Sequence, residues 1–313
     1  MIDIYYYDGK VIRGEPERLE EYKNFPLWID VVGMTPSESA YLQTVFELHP
    51  LTSEDLANER GRVKIEEFEN YLLCIFYGIE KSSAVELIEV DFVVGKEYII
   101  TNHTKDLEGI KALRLNEQKM DALFKKGSDF FLHYILDKEV DNYAPALDAL
   151  DDEIENIEEL VAKDPSPKIL QRIQRAKHRI MEIKKVIVPQ REKIAFLFRN
   201  DYKFISKKAY PYFRDVYDHA IRVADLLESN REAIASTLEI YMTALSYKMN
   251  EVMKTLSIIA TIALPLTVIS GIYGTNFAML PGSDAPNGFW IMILSMFLLI
   301  ATMLLFFRRR RWF

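Results

Sequence analysis

The sequence predicts an α/β cytosolic domain, a long helical stalk and two C-terminal transmembrane helices. Strand and helix signals alternate through residues 1–105, and strand signals are missing from residue 106 onward. The C-terminal part of the chain contains two apolar segments, 256–272 and 289–307. A helix needs ~20 mostly apolar residues to cross a hydrocarbon core, and both segments are close to that length.

Short runs of β-branched and aromatic residues mark the strands of the domain at residues 1–105. The predicted strands are Ile2–Tyr7, Leu27–Val32, Tyr71–Tyr77, Leu87–Val94 and Tyr98–Thr101. Gly95-Lys96 separates the last two, which we expect to form a hairpin. The start of the chain has neither a basic leader nor an apolar core, so we expect no signal peptide.

Two capping sequences predict helices between these strands. Thr35-Pro36-Ser37-Glu38 has a capping Thr, Pro at the first helical position and Glu at the third. We expect it to open an amphipathic helix through Leu48, which His49-Pro50 ends. Thr52-Ser53-Glu54-Asp55 is expected to start a short helix in the same way. On this interpretation Glu54 and Asp55 are acids of a first helical turn, where the helix dipole favours them.

Residues 106–209 form a helical region with two oppositely charged halves. Residues 137–164 contain eleven acidic residues against two lysines, whereas residues 168–199 contain ten Lys or Arg against two Glu. Pro165-Ser166-Pro167 separates them. We therefore expect an antiparallel hairpin that lays the acidic face along the basic one. The alternative is a pair of independently solvated helices.

The remaining residues divide into the stalk and the membrane region. We assign a stalk helix to 210–255, a first transmembrane helix to 256–273, a loop to 274–288, a second transmembrane helix to 289–307 and a basic tail to 308–313. The stalk should run unbroken into the membrane until Pro265. The loop has Asp284 and no Lys or Arg, whereas Lys248, Lys254 and the arginine tail flank the spans. Because positive charge stays cytoplasmic, we expect a multi-pass protein of the cell membrane with both termini inside.

One face of the first span is a candidate pore wall. Steps of three and four from Met253 reach mostly small or flexible side chains on one helical face. They are Leu256, Ala260, Leu264, Thr267, Gly271 and Gly274. Such a face either packs against the second span or lines a narrow pore. Two helices cannot enclose a water path, so conduction would require several copies around an axis.

Composition narrows the classes of function. The formal net charge of -8 argues against a nucleic-acid partner. The single cysteine, Cys74, excludes an internal disulfide and is expected to be buried. We find no nucleophile, base or cofactor loop that predicts an enzyme. The five histidines lack ligand spacing, so each is expected to be a surface or packing residue: His49, His103, His133, His178 and His219.

The segment between the two spans resembles the signature of a known family. Tyr273-Gly274-Thr275-Asn276-Phe277 follows a proline-containing span and precedes a second span with a basic tail. It is similar to the Tyr-Gly-Met-Asn-Phe signature of the CorA family of divalent-cation channels. Three further segments resemble the family in the family's order: His49–Asp55, Pro211–His219 and Asn250–Lys254. The resemblance covers essentially the whole chain.

The resemblance implies a funnel-shaped homopentamer in membrane lipid that carries Mg²⁺, and with it Co²⁺ and Ni²⁺, into the cell. Membrane potential would drive the flux, intracellular Mg²⁺ would gate it, and no organic cofactor is expected. The selectivity filter would comprise Gly274, Thr275 and Asn276, with the Asn276 amide holding the hydrated ion. The pore-lining positions implied or proposed are Asn250, Met253, Leu256, Ala260, Leu264, Thr267 and Gly271.

The resemblance also implies a regulatory metal site. Glu54 and Asp55 match an acidic site on the cytosolic domain, and Asp215 matches a stalk position that faces it from the neighbouring subunit. Intracellular Mg²⁺ bridging these carboxylates would hold the subunits shut. Without it, like charges would face one another and loosen the ring.

Two departures from the family pattern leave the ion open. Thr275 replaces the usual Met, and Leu280-Pro281-Gly282 replaces a Met-Pro-Glu, which leaves Asp284 as the nearby acid. Variation at the middle motif position also occurs in the branch that resembles ZntB, which handles Zn²⁺. A Zn²⁺ transporter is therefore one alternative. A non-conducting, membrane-anchored helical scaffold is another, although it would not explain the small-residue face or Asn276.

Overall fold

The computed structural model describes residues 2–58, 61–80, 86–277, 280–282, 285–310 and 312. Two compact units make up the chain, Met1–Leu238 and Glu239–Phe313. Within the described residues, all strands lie in the first unit. The absence of described strands after residue 103 agrees with the sequence prediction.

A seven-stranded mixed sheet forms the centre of the first unit. Its strands are β1 Ile2–Tyr7, β2 Val11–Gly14, β3 Leu27–Val32, β4 Lys64–Glu67, β5 Leu72–Glu80, β6 Glu86–Val94 and β7 Tyr98–His103. The spatial order is β2-β1-β3-β7-β6-β5-β4, and only the β3·β7 pair is parallel. All five predicted strands are observed, and β6 and β7 form the predicted hairpin.

Helices cover both faces of the sheet. One face packs against α1 Leu19–Tyr22, α2 Pro36–Phe46 and α3 Pro50–Ala57. The other packs against the helices α4 Glu108–Arg114, α5 Glu117–Phe124, α6 Ser128–Asp141, α7 Tyr143–Lys163 and α8 Pro167–Arg199. Trp28 of β3 is fully buried on this second face, with its ring 5.7 Å from that of Phe131 in α6. Alternating strand residues thus supply two apolar cores, one on each side.

The start of α2 confirms the predicted capping box. Thr35 Oγ1 accepts a hydrogen bond from the Glu38 backbone N–H at 3.2 Å, and Glu38 Oε2 accepts one from the Thr35 N–H at 2.8 Å. The helix ends at Phe46, earlier than expected, because Glu47 adopts a left-handed conformation with φ of 54°. His49-Pro50 therefore lies beyond the end of α2.

The predicted start of α3 is wrong. The helix begins at Pro50, and His49 Nδ1 caps it by accepting from the Leu51 N–H at 3.3 Å. A proline at the first helical position has its φ fixed at a helical value, so it starts the helix before Thr52 is reached. Thr52 is buried, and its hydroxyl lies 2.7 Å from that of Tyr71. Glu54 and Asp55 consequently lie in the second half of the helix and are not helix-start acids.

Helices α7 and α8 form the predicted hairpin. The two helices contact each other, a short link at residues 164–166 joins them, and Arg179 of α8 pairs with Glu153 of α7. Their isoleucines are buried, among them Ile157 and Ile180. Residues 137 and 141 belong to α6, so the acidic stretch spans two helices.

A buried glutamine completes the edge of β5. Strand β4 pairs with β5 only as far as Ile75, so the backbone of Tyr77 needs other partners. The Tyr77 N–H donates to Gln190 Oε1 at 2.9 Å, and Gln190 Nε2 donates to the Tyr77 carbonyl at 3.1 Å. Gln190 is fully buried on α8. It therefore takes the place of a neighbouring strand.

Replacing Gln190 with Leu should destabilise the full-length protein. The Tyr77 N–H would lose its partner, and an unsatisfied buried donor costs about 1–3 kcal/mol. Thermal unfolding of the detergent-solubilised chain measures the effect as a lower Tm. The matched control is Gln174→Leu at an exposed position of the same helix, which should leave Tm nearly unchanged. Equal Tm values for wild type and Gln190→Leu would contradict this assignment.

Two further helices, α9 Tyr210–Tyr273 and α10 Gly288–Arg309, complete the chain. Helix α9 covers the ranges predicted as stalk and first span in one 64-residue element. It continues through Pro265, where the sequence predicted a break in the helix. Proline removes one backbone donor, so the carbonyl of Thr261 lacks its usual partner there. Arg311 and Phe313 of the tail lie outside the described residues.

Candidate cation pathway and metal-binding residues

Helices α9 and α10 are the candidate membrane spans. By length and composition, both are long and apolar enough to cross a membrane. The most apolar window of each has no share buried within the chain. Large exposed apolar surfaces of this kind need lipid or other protein copies to cover them.

The predicted pore-lining residues all lie on α9 and are all exposed in the single chain. Met253 and Leu256 are each 58% exposed and Leu264 is 69% exposed. The Thr267 hydroxyl donates to the Ala263 carbonyl of its own helix at 3.0 Å. A Cβ at Gly271 would meet nothing within 4 Å. This face therefore has no charged group, and its hydroxyl is already paired.

The chain after α9 folds back onto the helix end. The Gly274 N–H donates to the Ser270 carbonyl at 2.9 Å, and Thr275 Oγ1 donates to the Ile272 carbonyl at 2.7 Å. The Tyr273 hydroxyl donates to the Pro281 carbonyl at 2.8 Å. Tyr273 thus ties the start of the loop to its far side.

Asn276 lies in the segment that this closure holds. It is exposed, and its side chain has no hydrogen-bond partner among the described residues. The carboxamide is therefore available to a ligand. The predicted acid of the loop, Asp284, lies outside the described residues.

Removing the Tyr273 hydroxyl should loosen the loop. In Tyr273→Phe the bond to Pro281 is lost, and a neutral hydrogen bond contributes about 1 kcal/mol, so we expect loop opening to increase about fivefold. Amide hydrogen exchange in residues 274–288 of the full-length protein measures it. The control is Tyr247→Phe on the exposed surface of α9. Unchanged exchange in both variants would contradict a role for this bond.

The predicted regulatory carboxylates of α3 lie near its C-terminal end. Asp55 Oδ2 is 2.7 Å from Lys64 Nζ, which also lies 3.2 Å from Glu66. Burial alone would lower the pKa of Lys64. The hydrogen bonds to these two carboxylates outweigh burial, so the pKa of Lys64 is raised. Glu54 is exposed. The helix dipole disfavours acids at this end, so it does not account for either residue.

Asp215 joins a cluster that the sequence did not predict. Asp137 and Asp141 of α6 and His219 of α9 bring three ligand atoms within 4.8 Å of one another. His219 Nδ1 lies 2.8 Å from Asp141 Oδ1 and 3.7 Å from Asp137 Oδ1, while its Nε2 lies 3.9 Å from Asp215 Oδ2. The structure thus places the His219 ring beside carboxylates that the sequence did not connect with it.

The cluster was missed because its halves are far apart in sequence. The only local signal is the spacing of four residues between Asp137 and Asp141 and between Asp215 and His219, which places each pair on one helix face. No ion pair among the described residues joins Asp215 to Glu54 or Asp55. The structure of one chain thus separates the predicted regulatory carboxylates into two places.

The donor atoms of the cluster suit divalent cations. Carboxylates and an imidazole together favour ions such as Co²⁺ and Ni²⁺, and carboxylates also hold Mg²⁺ through its water shell. His133 lies near the cluster but is packed edge-on against Tyr212 and Phe213. Burial lowers its pKa. His133 is therefore held as a neutral packing residue.

Comparison with known proteins finds relatives that match almost the whole chain. A family model described as CorA-like Mg²⁺ transporter protein matches residues 24–309. The cobalt/magnesium transport protein CorA of Thermotoga maritima is 34% identical over 292 residues, which are 92% of this chain and 83% of that protein. The putative metal ion transporter YfjQ of Bacillus subtilis is 29% identical over 297 residues, covering 95% of this chain and 93% of that protein.

Solved structures show the same fold. The complete CorA magnesium transporter of Methanocaldococcus jannaschii superimposes with a TM-score of 0.87 at 22% identity, covering 100% of this chain and 99% of that one. The ZntB cytoplasmic domain of Vibrio parahaemolyticus gives a TM-score of 0.63 at 12% identity, covering 78% of this chain and 98% of that one. At these identities the likeness concerns the fold alone.

Proposed function

The chain belongs to the CorA-like Mg²⁺ transporter family, and on that premise we propose that it carries Mg²⁺ into the cell, with Co²⁺ and Ni²⁺ as further substrates. The observation that carries the proposal is the family match over residues 24–309, which includes both apolar helices and the Tyr273–Phe277 loop. The transporter would be a homopentamer surrounded by membrane lipid.

In the proposed assembly, α9 lines the pore and α10 faces lipid. The exposed face from Asn250 to Gly271 supports this, because the single chain leaves it uncovered. Copies of that face around an axis would form an uncharged passage. Met253, Leu256 and Leu264 would make its narrow apolar rings, which can close by excluding water.

The filter would be a ring of Asn276 carboxamides, supported from behind by Gly274 and Thr275. Mg²⁺ gives up its waters reluctantly, so neutral amides that hydrogen-bond the hydrated ion suit passage better than a cage of carboxylates. Binding must be weak enough to release the ion. An inside-negative potential of about 100 mV contributes ~2.3 kcal/mol per charge, so ~4.6 kcal/mol drives each divalent ion inward.

Charge sets the proposed orientation. Lys248, Lys254 and the arginines after residue 307 flank the spans on one side, while the loop at 274–288 has no Lys or Arg. Positive flanks stay in the cytoplasm. Both termini and the α/β unit would therefore be cytoplasmic, and Asn276 would face the outside.

Regulation would use the acidic residues of the cytoplasmic unit. We assign Glu54 and Asp55 of one subunit and Asp215 of its neighbour to a shared cation site that holds the ring closed. The cluster of Asp137, Asp141 and His219 would extend this site, since His219 lies 3.9 Å from Asp215. Asp55 would exchange its partner Lys64 for the cation.

The Zn²⁺ alternative has weaker support. The ZntB cytoplasmic domain is 12% identical to this chain, whereas a cobalt/magnesium transport protein is 34% identical over most of it. Family membership likewise favours a transporter over a membrane-anchored scaffold. We therefore retain Mg²⁺ as the proposed main substrate.

Ion flux into liposomes tests the proposal. Purified wild-type protein should admit Mg²⁺, Co²⁺ and Ni²⁺ under an inside-negative potential, and flux should rise with the size of that potential. Protein-free liposomes and a set without potential are the controls. Uptake of Zn²⁺ alone would show that the protein is a Zn²⁺ transporter. If no ion enters the liposomes, the proposal that the protein transports divalent cations is wrong.

A further inference from the structure

A polar cavity lies inside the first unit, on the α3 side of the sheet. Its volume is about 170 Å³, and its walls include Leu56 to Asn58 at the end of α3 together with Glu89, Asp91 and Asn102 of the sheet. A water molecule takes about 30 Å³ of liquid volume, so the cavity has room for a cation and several waters. It is separate from the cluster at His219, with which it shares no lining residue.

Strand register places the polar residues together. Glu89 and Asp91 are two apart on β6, so their side chains lie on the same face. Asp91 is the cross-strand partner of Asn102 on β7, and Glu89 is the partner of Tyr77 on β5. Asn102 Nδ2 donates to Asp91 Oδ2 at 2.8 Å. The Tyr77 hydroxyl lies 2.7 Å from Glu89 Oε2 and 2.5 Å from the Gly61 carbonyl oxygen, so its one proton is shared between these two acceptors. One oxygen of each carboxylate is thereby held in position.

The other oxygens have no hydrogen-bond partner among the described residues. Glu89 Oε1, Asp91 Oδ1 and Asn102 Oδ1 are buried without a hydrogen bond, and the three residues are only 7%, 3% and 8% exposed. Buried polar oxygens are rarely left unpaired, because each costs about 1–3 kcal/mol. Three unpaired oxygens on one cavity therefore point to a missing positive ligand.

The described lining of the cavity gives the two carboxylates no compensating Lys or Arg. His103 reaches the lining, but its Nδ1 lies 2.7 Å from the Lys105 carbonyl and its Nε2 lies 3.1 Å from Asp30. The end of α3 adds the negative end of a helix dipole.

We propose that Glu89, Asp91 and Asn102 bind a partly hydrated Mg²⁺ ion within a single subunit. Two carboxylate oxygens and one amide oxygen form an all-oxygen donor set, which suits a hard cation. The volume of the cavity leaves space for the waters that Mg²⁺ retains. The site needs no second copy of the chain, in contrast to the regulatory site proposed between subunits.

The position of the site links it to α3. Asn102 Nδ2 also donates to the Leu56 carbonyl at 3.0 Å, so the residue that would hold the ion also holds the last turn of α3. Asp55 directly precedes Leu56, and its negative charge interacts electrostatically with Asp91. A bound ion would thus fix the helix that presents Glu54 and Asp55.

Crystals of the full-length protein soaked in Mn²⁺, a probe for Mg²⁺ sites, test the proposal directly. We expect anomalous scattering in the cavity, next to Glu89 Oε1 and Asp91 Oδ1, and none there in the double variant Glu89→Gln, Asp91→Asn. Water density without anomalous signal, in crystals whose other sites contain Mn²⁺, would overturn it.

Thermal unfolding of the full-length protein gives a second readout. In EDTA, the double variant should melt at a higher temperature than wild type, because the buried negative charge of the pair is gone. In Mg²⁺ the advantage should shrink or reverse. All measurements use an Asp215→Asn background, so that the proposed intersubunit site is weakened equally in both proteins. An identical Mg²⁺-induced rise in Tm for both would contradict binding at Glu89 and Asp91. Single Glu89→Gln provides the comparison if the double variant does not fold.

Discussion

Mg²⁺ flux should fall at least about tenfold when Asn276 is replaced with Ala, since a hydrogen bond to a charged group contributes about 1.5–3 kcal/mol and 1.4 kcal/mol is a factor of ten. The exposed carboxamide has no competing partner in the described chain. Each copy in the ring would lose its contact with the hydrated ion. Flux into liposomes at fixed potential measures the loss.

The matched control is Asn287→Ala. Asn287 precedes α10 at the other end of the loop, and its side chain caps no backbone group. The same chemical change there should leave flux close to wild type. Equal flux in wild type and Asn276→Ala would remove Asn276 from the filter, whereas equal losses in both variants would indicate a general effect on the loop.

Asp215→Asn should weaken Mg²⁺-dependent closure. Loss of a single outer-sphere partner of a metal typically costs 10–100-fold in affinity, so losing a carboxylate should raise the Mg²⁺ concentration for half-maximal closure at least about tenfold. Two measurements report closure: Mg²⁺-dependent protection of α9 from protease, and inhibition of flux by Mg²⁺ on the cytoplasmic side. Both midpoints should shift together.

Asp225→Asn is the control for charge on the same helix. Asp225 is exposed on α9 and outside the cluster around His219. Its neutralisation changes the net charge equally but removes no proposed ligand, so both midpoints should stay in place. Wild-type midpoints in Asp215→Asn would argue against the regulatory site without affecting the filter.

Much of the first unit could be predicted from local sequence. A strand that is buried on both faces, such as β5, appears as a nearly continuous apolar run. The capping box of α2 is a four-residue signal and was confirmed. β2 and β4 could not be found in this way, because each has four residues and little burial and lies at an edge of the sheet.

Competing local signals explain the misplaced start of α3. Both His49-Pro50 and Thr52 can begin a helix, and the proline lies first. Thr52 then turns inward to Tyr71, a contact between residues 19 apart. The sequence alone has no means of ranking the two starts. The error matters for function, because it moves Glu54 and Asp55 away from the end of the helix that would stabilise them.

The candidate metal sites are formed by residues that only tertiary contacts bring together. Asp141 and His219 are 78 residues apart in the chain and meet only because α6 packs beside the start of α9. Asp91 and Asn102 meet through strand register. Neither pair forms a motif of known ligand spacing. By contrast, the candidate filter is contiguous, so its residues could be proposed from sequence alone.

A pore lined by one face of α9 is tested most directly by cysteine substitution at Thr267. Cys74 is completely buried, and burial raises the pKa of its thiol, so we expect no reaction of Cys74 with thiol reagents. An impermeant cationic thiol reagent applied outside should block Mg²⁺ flux through Thr267→Cys and spare Ile269→Cys, which lies roughly opposite on the helix. Block at Ile269→Cys with none at Thr267→Cys would contradict the proposed pore.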